Sequence, residues 1–256
     1  MRANALARAL PICILLAGST AAMLLPNEAE AQRVDESYFR VTPYIWALSL
    51  DGATAAPSGE DIPIDASFSD LLDKLNMALM VNLEWNTKSD WFFLLDAMWA
   101  NLESDFATPG ALPVTGTVDV NMTIYDGLVG YSINENLGVY IGARLNDHDI
   151  TISTDGGVAP NINTGDDWTD YIIGLRVFGE LNDNWSMGGR LDGAIGGDSD
   201  SAFNLQFIFA RHFGESMHLN LGWRYMDIDF DEGTGLERYK WNVSQSGPII
   251  GWSWEF

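Results

Sequence analysis

His148 stands between two carboxylates in Asp147-His148-Asp149, a composition from which a general base or a His–carboxylate dyad could be built. In an extended chain neighbouring side chains point to opposite faces, so a strand here would turn His148 away from both carboxylates. His212 and His218 flank a short turn, where polar filling is the expected role. Asp227-x-Asp229-x-Asp231 has the opening spacing of a calcium loop. Position six is Glu232 instead of glycine and position twelve is Arg238 instead of glutamate, so it fails as an EF-hand. No Gly-x-Ser-x-Gly elbow and no His or Cys pair at metal-ligand spacing occurs. The expectation is therefore a non-enzyme with no catalytic residues, metal or cofactor. The larger store of polar chemistry is a set of scattered charges, Glu84, Asp96, Arg144, Arg176, Glu180, Arg190, Asp192, Arg224 and Lys240. Signs are nearly balanced, so on one inner face these groups would pair with one another, or line a narrow passage.

The elements that carry those charges alternate with period two. Met77, Leu79, Val81, Leu83 and Trp85 share one parity, with Asn82, Glu84 and Asn86 on the other. The same split recurs with Trp91 to Trp99, Leu137 to Leu145, Tyr171 to Val177, Trp185 to Leu191, Phe203 to Phe209 and Leu219 to Tyr225. Three further segments are less regular. In 37–50, Arg40 shares a parity with Tyr44 and Trp46, which leaves the faces unassigned. In 115–132 the apolar parity breaks at Asp126-Gly127. In 237–256 it changes around Ser246-Gly247-Pro248, and a bulge is expected at both breaks. That makes ten strands.

Short connections at 87–90, 133–136, 182–184 and 214–215 alternate with longer ones at 51–75, 104–114, 154–166 and 231–236, and only 197–200 is short in the second set. No stretch after the first segment has the length of apolar residues that a spanning helix needs, so any crossing of a membrane would use strands. A soluble barrel or β-sandwich also alternates, and the aromatic residues discriminate. Trp85, Trp91, Trp185 and Trp254 fall beside the short turns, and Trp99, Trp168, Trp223 and Trp241 near the long loops, as the two interfacial belts of a bilayer would require. The sequence thus predicts an all-β, up-and-down antiparallel transmembrane barrel of about ten strands, with periplasmic short turns and extracellular long loops. The expected bilayer-facing set is apolar, and the charged set above is expected to line the lumen. Within the first long loop, Ser67 to Leu75 reads as a short amphipathic helix capped by Ser67 or Ser69, resting on the barrel mouth or folding inward.

The chain of 256 residues carries 13 Lys plus Arg against 36 Asp plus Glu, a net charge of −23, with only Lys74, Lys88 and Lys240 as lysines. Phosphate binding needs many cations, so nucleic acid is excluded as a partner. Acidic residues gather in the long loops, where they could collect divalent cations that bridge to lipopolysaccharide phosphates. Arg2 and Arg8, an apolar stretch from Ala9 to Leu25 and Ala29-Glu30-Ala31 read as a secretory signal peptide over 1–31, leaving a barrel domain over 32–256. Cys13, the sole cysteine, lies inside that leader.

The ending Gly-Trp-Ser-Trp-Glu-Phe, with Trp252, Trp254 and Phe256, resembles the signature by which the barrel-assembly machinery recognises bacterial outer-membrane proteins. Thr42-Pro43-Tyr44-Ile45-Trp46 and Phe68-Ser69-Asp70-Leu71-Leu72 resemble a small-porin-like group of outer-membrane β-barrel domain proteins. The resemblance implies a Gram-negative outer membrane, with the lipid bilayer and lipopolysaccharide as surroundings, and names no activity. The expected role is structural, or that of a narrow, weakly cation-preferring pore for small solutes. The alternatives are a surface binding or adhesion barrel acting through acidic loops and, third, an outer-membrane hydrolase similar to the omptin proteases, which also have ten strands and keep His–Asp pairs near the long loops.

Overall fold

The computed structural model describes residues 37–55, 60–107, 115–157 and 161–256; the expected leader lies outside the described residues. The strands are β1 (Tyr38–Trp46), β2 (Ser49–Ala55), β3 (Asp61–Ala66), β4 (Leu75–Asn86), β5 (Trp91–Ala107), β6 (Thr115–Asn134) and β7 (Leu137–Thr154). They continue with β8 (Ile162–Asn182), β9 (Trp185–Gly197), β10 (Ser201–His212), β11 (Met217–Glu232) and β12 (Tyr239–Glu255), and helix α1 (Phe68–Lys74) links β3 to β4. Each strand from β4 onward pairs antiparallel with the next, and β1 pairs with both β4 and β12, which closes the sheet. β2 continues β1 along β12 as one stave, and β3 doubles back on β2 as a flap. The result is a closed up-and-down antiparallel barrel of ten staves.

Neither expected bulge exists. The β5–β6 pairing runs unbroken through Asp126 and Gly127, and the β11–β12 pairing runs unbroken from Met217–Trp254 to Glu232–Tyr239. What changes along these strands is the polarity of each face, not its direction. Towards the short turns the outward residues are apolar: Val139, Ile141 and Leu145 on β7, Ile173 and Leu175 on β8, Leu221 and Trp223 on β11. Farther up the same outward columns continue as Asp147 and Asp149, as Asp167, and as Asp227, Asp229 and Asp231. Inward columns do the reverse. Arg144, Asp126 and Arg224 give way upward to His148, Ile124, Met122, Met226, Ile228 and Phe230, all buried.

The barrel therefore has two storeys. The lower is apolar outside and polar inside; the upper is polar outside and apolar inside, as a water-surrounded barrel must be. Strands of 16 to 21 residues in β6, β7, β8 and β11 exceed the roughly 9–11 that cross a bilayer, which leaves the length for an upper storey. Tyr125, Tyr171 and Trp223 face outward close to the change of polarity, with Trp99 also on the outer face.

Helix α1 forms where expected. Ser67 accepts from the Asp70 backbone N–H at 3.3 Å and donates its own to the Asp70 carboxylate at 3.0 Å, a reciprocal cap. Only Leu71 packs against the upper interior, while Phe68 and Leu72 stay exposed.

Candidate functional site: the closed lumen

Three inward layers cross the bore. Nearest the short turns, Glu84 on β4 accepts from Arg176 on β8 at 2.6 Å and from Arg40 on β1 at 3.4 Å, and Arg40 also reaches Glu255 at 2.8 Å. The Arg176 guanidinium lies 4.6 Å from the centre of the Phe92 ring. Phe92 fits because residue 130 is glycine: a Cβ there would come within 2.1 Å of the ring.

The middle layer turns on Asp126. Arg144 donates to it at 2.7 and 3.1 Å and Arg190 at 2.6 Å, while Arg224 stands 3.5 Å away. Arg144 also donates to Asp192 at 3.0 Å, and Tyr140 and Asn204 donate to the other Asp192 oxygen, each at 2.8 Å. Arg224 donates to Asn204 at 2.9 Å and lies 3.4 Å from Asp96, which takes the Tyr44 hydroxyl at 2.7 Å. Asp126 is on the fourth stave and Arg224 on the ninth, so the layer spans the barrel from wall to opposite wall. Asp126 and Arg144 have no exposure to solvent. Three carboxylates face three guanidiniums, as burial of charge requires.

The upper layer is aromatic. Trp168 stacks on Phe230 at 4.4 Å and 10°, and the His148 ring stands edge-on to Trp168 and Trp241 at 4.8 and 4.6 Å. His148 Nδ1 is 2.7 Å from the Tyr239 hydroxyl, a bond between staves on opposite sides of the bore. Trp46 lies over Arg224 at 4.9 Å, joining this layer to the one beneath.

Of the charges expected in the lumen, Asp96, Arg144, Arg190, Asp192 and Arg224 meet in the middle layer, and Glu84 and Arg176 in the lower. Glu180 is exposed beside the short turns. Lys240 is a correction: Tyr239 and Trp241 take the inward positions, and Lys240 sits on the outer side of β12, bonded to Asp61 of β3 at 2.6 Å. Trp168 and Trp241 are corrected as well, since both are buried inside and belong to no outer belt. Trp85, Trp91, Trp254, Trp223, Trp185, Trp99 and Trp252 lie on the outer face. Phe256 exchanges backbone hydrogen bonds with Phe39 at 2.9 and 3.0 Å. His148 has no carboxylate partner, because Asp147 and Asp149 project outward. His212 bonds Ser186 at 2.8 Å. Among the described residues no three His, Cys, Asp or Glu side chains are grouped to hold a metal ion.

Sequence reasoning missed the hub. Asp126 has Ile124 and Leu128 on its own parity, which made it look like a break in the pattern when it marks the boundary between storeys. Arg40, Tyr44 and Trp46 share a parity because all three point inward.

No family model and no curated protein matches the chain. Among solved structures it is similar to the outer-membrane protease OmpT from Escherichia coli, with a TM-score of 0.58 at 8% identity over 87% of this chain and 97% of that one. The chain has the fold of a bacterial outer-membrane barrel. At that identity the likeness speaks for the fold alone. Weaker matches are the translocator domain of the autotransporter NalP from Neisseria meningitidis and the attachment invasion locus protein Ail of Yersinia pestis. The first has a TM-score of 0.45 at 12% identity over 99% of this chain and 98% of that one; the second, in complex with a heparin analogue, has 0.35 at 10% over 86% and 99%.

Proposed function

We propose that this protein is a closed outer-membrane barrel with a structural role, which does not conduct at rest and presents a rigid acidic upper storey outside the bilayer. The observation that carries the reading is the Asp126 layer. An ion passing through would have to part Arg144 and Arg190 from Asp126, and groups this deeply buried cannot exchange their partners for water. The aromatic layer above is a second stopper. The hydrolase reading gains nothing from His148, which is sealed inside without a carboxylate.

A second reading, surface binding, is favoured by the outer wall of the upper storey. Asp147, Asp149 and Asp167 stand together on β7 and β8, and Asp227, Asp229 and Asp231 form a column on β11. Such a wall beside a lipopolysaccharide leaflet would draw divalent cations between itself and the lipid phosphates.

Single-channel recording of the refolded protein in a planar bilayer under a potassium chloride gradient tests the closed reading. A silent bilayer holding heat-modifiable, folded protein is the expected result. Steady cation-preferring openings, altered by Arg190→Gln, would overturn it and establish the narrow pore.

A further inference from the structure

The outer wall of the lower storey carries a trough. Tyr131, Val139, Leu175 and Leu191 form one row of outward side chains across β6 to β9, and Val129, Ile141, Ile173 and Gly193 form the next row above it. Between the rows the floor is the backbone of Gly130, Tyr140, Gly174 and Asp192, which pair with one another in register. Tyr140 and Asp192 send their side chains inward to the middle layer, and Gly130 and Gly174 leave room there for the rings of Phe92 and Tyr140. Gly193 opens the upper wall, with no heavy atom nearer than 3.6 Å to the place its Cβ would take. Trp91 bounds the lower end and Phe203 the upper, and the groove between them measures about 680 Å³.

We infer that this trough holds one acyl chain of a phospholipid lengthwise, drawn from the leaflet on the short-turn side. Its direction fits. Trp91 is the first residue of β5, beside a short turn, whereas Leu191 stands six residues into β9, so the trough climbs away from the short turns as it crosses the staves. From β5 to β10 it spans five strand spacings, about 24 Å at about 4.8 Å each. Strands of such a barrel lean by about 35–45°, so a trough perpendicular to them rises by about 15 Å, half of the roughly 30 Å hydrocarbon core and the depth that one acyl chain reaches. No water is expelled by this contact inside a bilayer, and the gain is dispersion. A chain in the trough touches protein on three sides, where a chain on a convex wall touches it on one. The foot suits a headgroup. Trp91 and Tyr131 pack edge-on at 5.4 Å beside the short turns, as an interfacial belt does. The turn that leads into Trp91 exposes Lys88 and Asp90, a cation for the phosphate and an anion for an ammonium. That pairing points to a zwitterionic phosphoethanolamine headgroup.

The inference rests on the lower storey standing in a bilayer and is independent of whether the lumen is closed. Lipid stoichiometry reads it, and conductance does not. Dipalmitoyl phosphatidylethanolamine is titrated into the refolded protein in detergent, and bound lipid is counted by native mass spectrometry. One lipid per barrel is expected to fill first, well before further adducts appear. The palmitoyl lysophospholipid is expected to bind equally, since the trough has room for one chain. Gly193→Leu builds a side chain into the trough at a position with space for it, and is expected to lower the one-lipid species about tenfold by displacing about ten dispersion contacts. Gly179→Leu, outward on β8 beyond the trough, is the control and is expected to leave that species unchanged. Should Gly193→Leu not fold, Val139→Phe narrows the trough from its lower wall and is expected to act in the same direction. A statistical spread of adducts with no preferred first lipid, or a first lipid that these variants leave in place, would overturn the site. Dimers that Gly193→Leu breaks, in place of a lipid adduct, would do the same. In either case a barrel that still inserts into vesicles of this lipid shows that the membrane reading stands without the site.

Discussion

Asp126→Asn is the sharpest probe of the lumen, because it removes a charge without changing shape. In the native protein Asp126 accepts three charge-assisted hydrogen bonds, at 2.6, 2.7 and 3.1 Å. Two of the three end on one oxygen, so an asparagine keeps at most those two and turns an N–H toward Arg144 Nε, the third donor, while the guanidiniums lose the charge that balanced them. The expected destabilisation is about 3–5 kcal/mol, that of a buried ion pair broken on one side. Arg144 makes the cost hard to escape, since it has no exposure and its remaining partner, Asp192, is shared with Arg190. The assay is urea unfolding in detergent micelles, followed by tryptophan fluorescence, with Asp147→Asn on the outer wall as the control. The control is expected to change stability by less than about 0.5 kcal/mol, as exposed sites do. A loss below about 1 kcal/mol in Asp126→Asn would mean that water reaches the cluster. The account of the lumen as sealed would then be wrong.

Two further predictions address the packing and the flap. Gly130→Ala would bring a Cβ to 2.1 Å from the Phe92 ring, so it should cost about 1–3 kcal/mol by overpacking; Phe92→Leu in the same chain should recover much of this, and an additive pair would refute the contact. Asp61, on the flap outside the spanning part, is held below the usual carboxylate range by its hydrogen bond from Lys240, with Arg238 assisting. A depressed native pKa gives stability that is fully present above the unfolded value of about 4 and is lost as pH falls through the native value. A fluorophore on Ile62→Cys should therefore keep its anisotropy from neutral pH down to about 4 and lose it only below that. Lys240→Met should move the loss upward, and a transition near pH 6 in the native flap would disprove the assignment.

How far the fold was legible follows from which rule governs each part of a strand. The lower storey obeys one rule, apolar outside, and the alternation of Leu137 to Leu145 or Leu219 to Tyr225 discloses it directly. Above the bilayer boundary the rule inverts, and the same columns continue with Asp147 or Asp227 outside and His148 or Ile228 inside. A bulge and an inversion leave the same mark on the sequence, because moving the apolar set by one residue or moving the solvent to the other face both swap parity. Only the pairing separates them, and it runs straight through Asp126 and through Gly247. Trp168 and Trp241 read as an outer belt in the sequence for this reason: they lie at the height where a belt is expected but on the inverted face.

The candidate site was legible in its charges and not in its amides. Arg144, Arg190, Asp192 and Arg224 stand out because a charge on the polar parity of a lower-storey strand has nowhere to point but the lumen. Asn146 and Gln245 carry no such signal, since an amide is as much at home on a water-facing column as inside. Their significance lies in what surrounds them, and that depends on residues far apart in the chain: Trp168 beside Asn146, Met226 and Leu50 beside Gln245, Trp46 above Arg224. The inversion of the storeys accounts for the site. A barrel that is dry inside and wet outside, standing on one that is ion-paired inside and apolar outside, sets a packed aromatic and aliphatic interior on a charged floor, and the inward amides take their places in that packing.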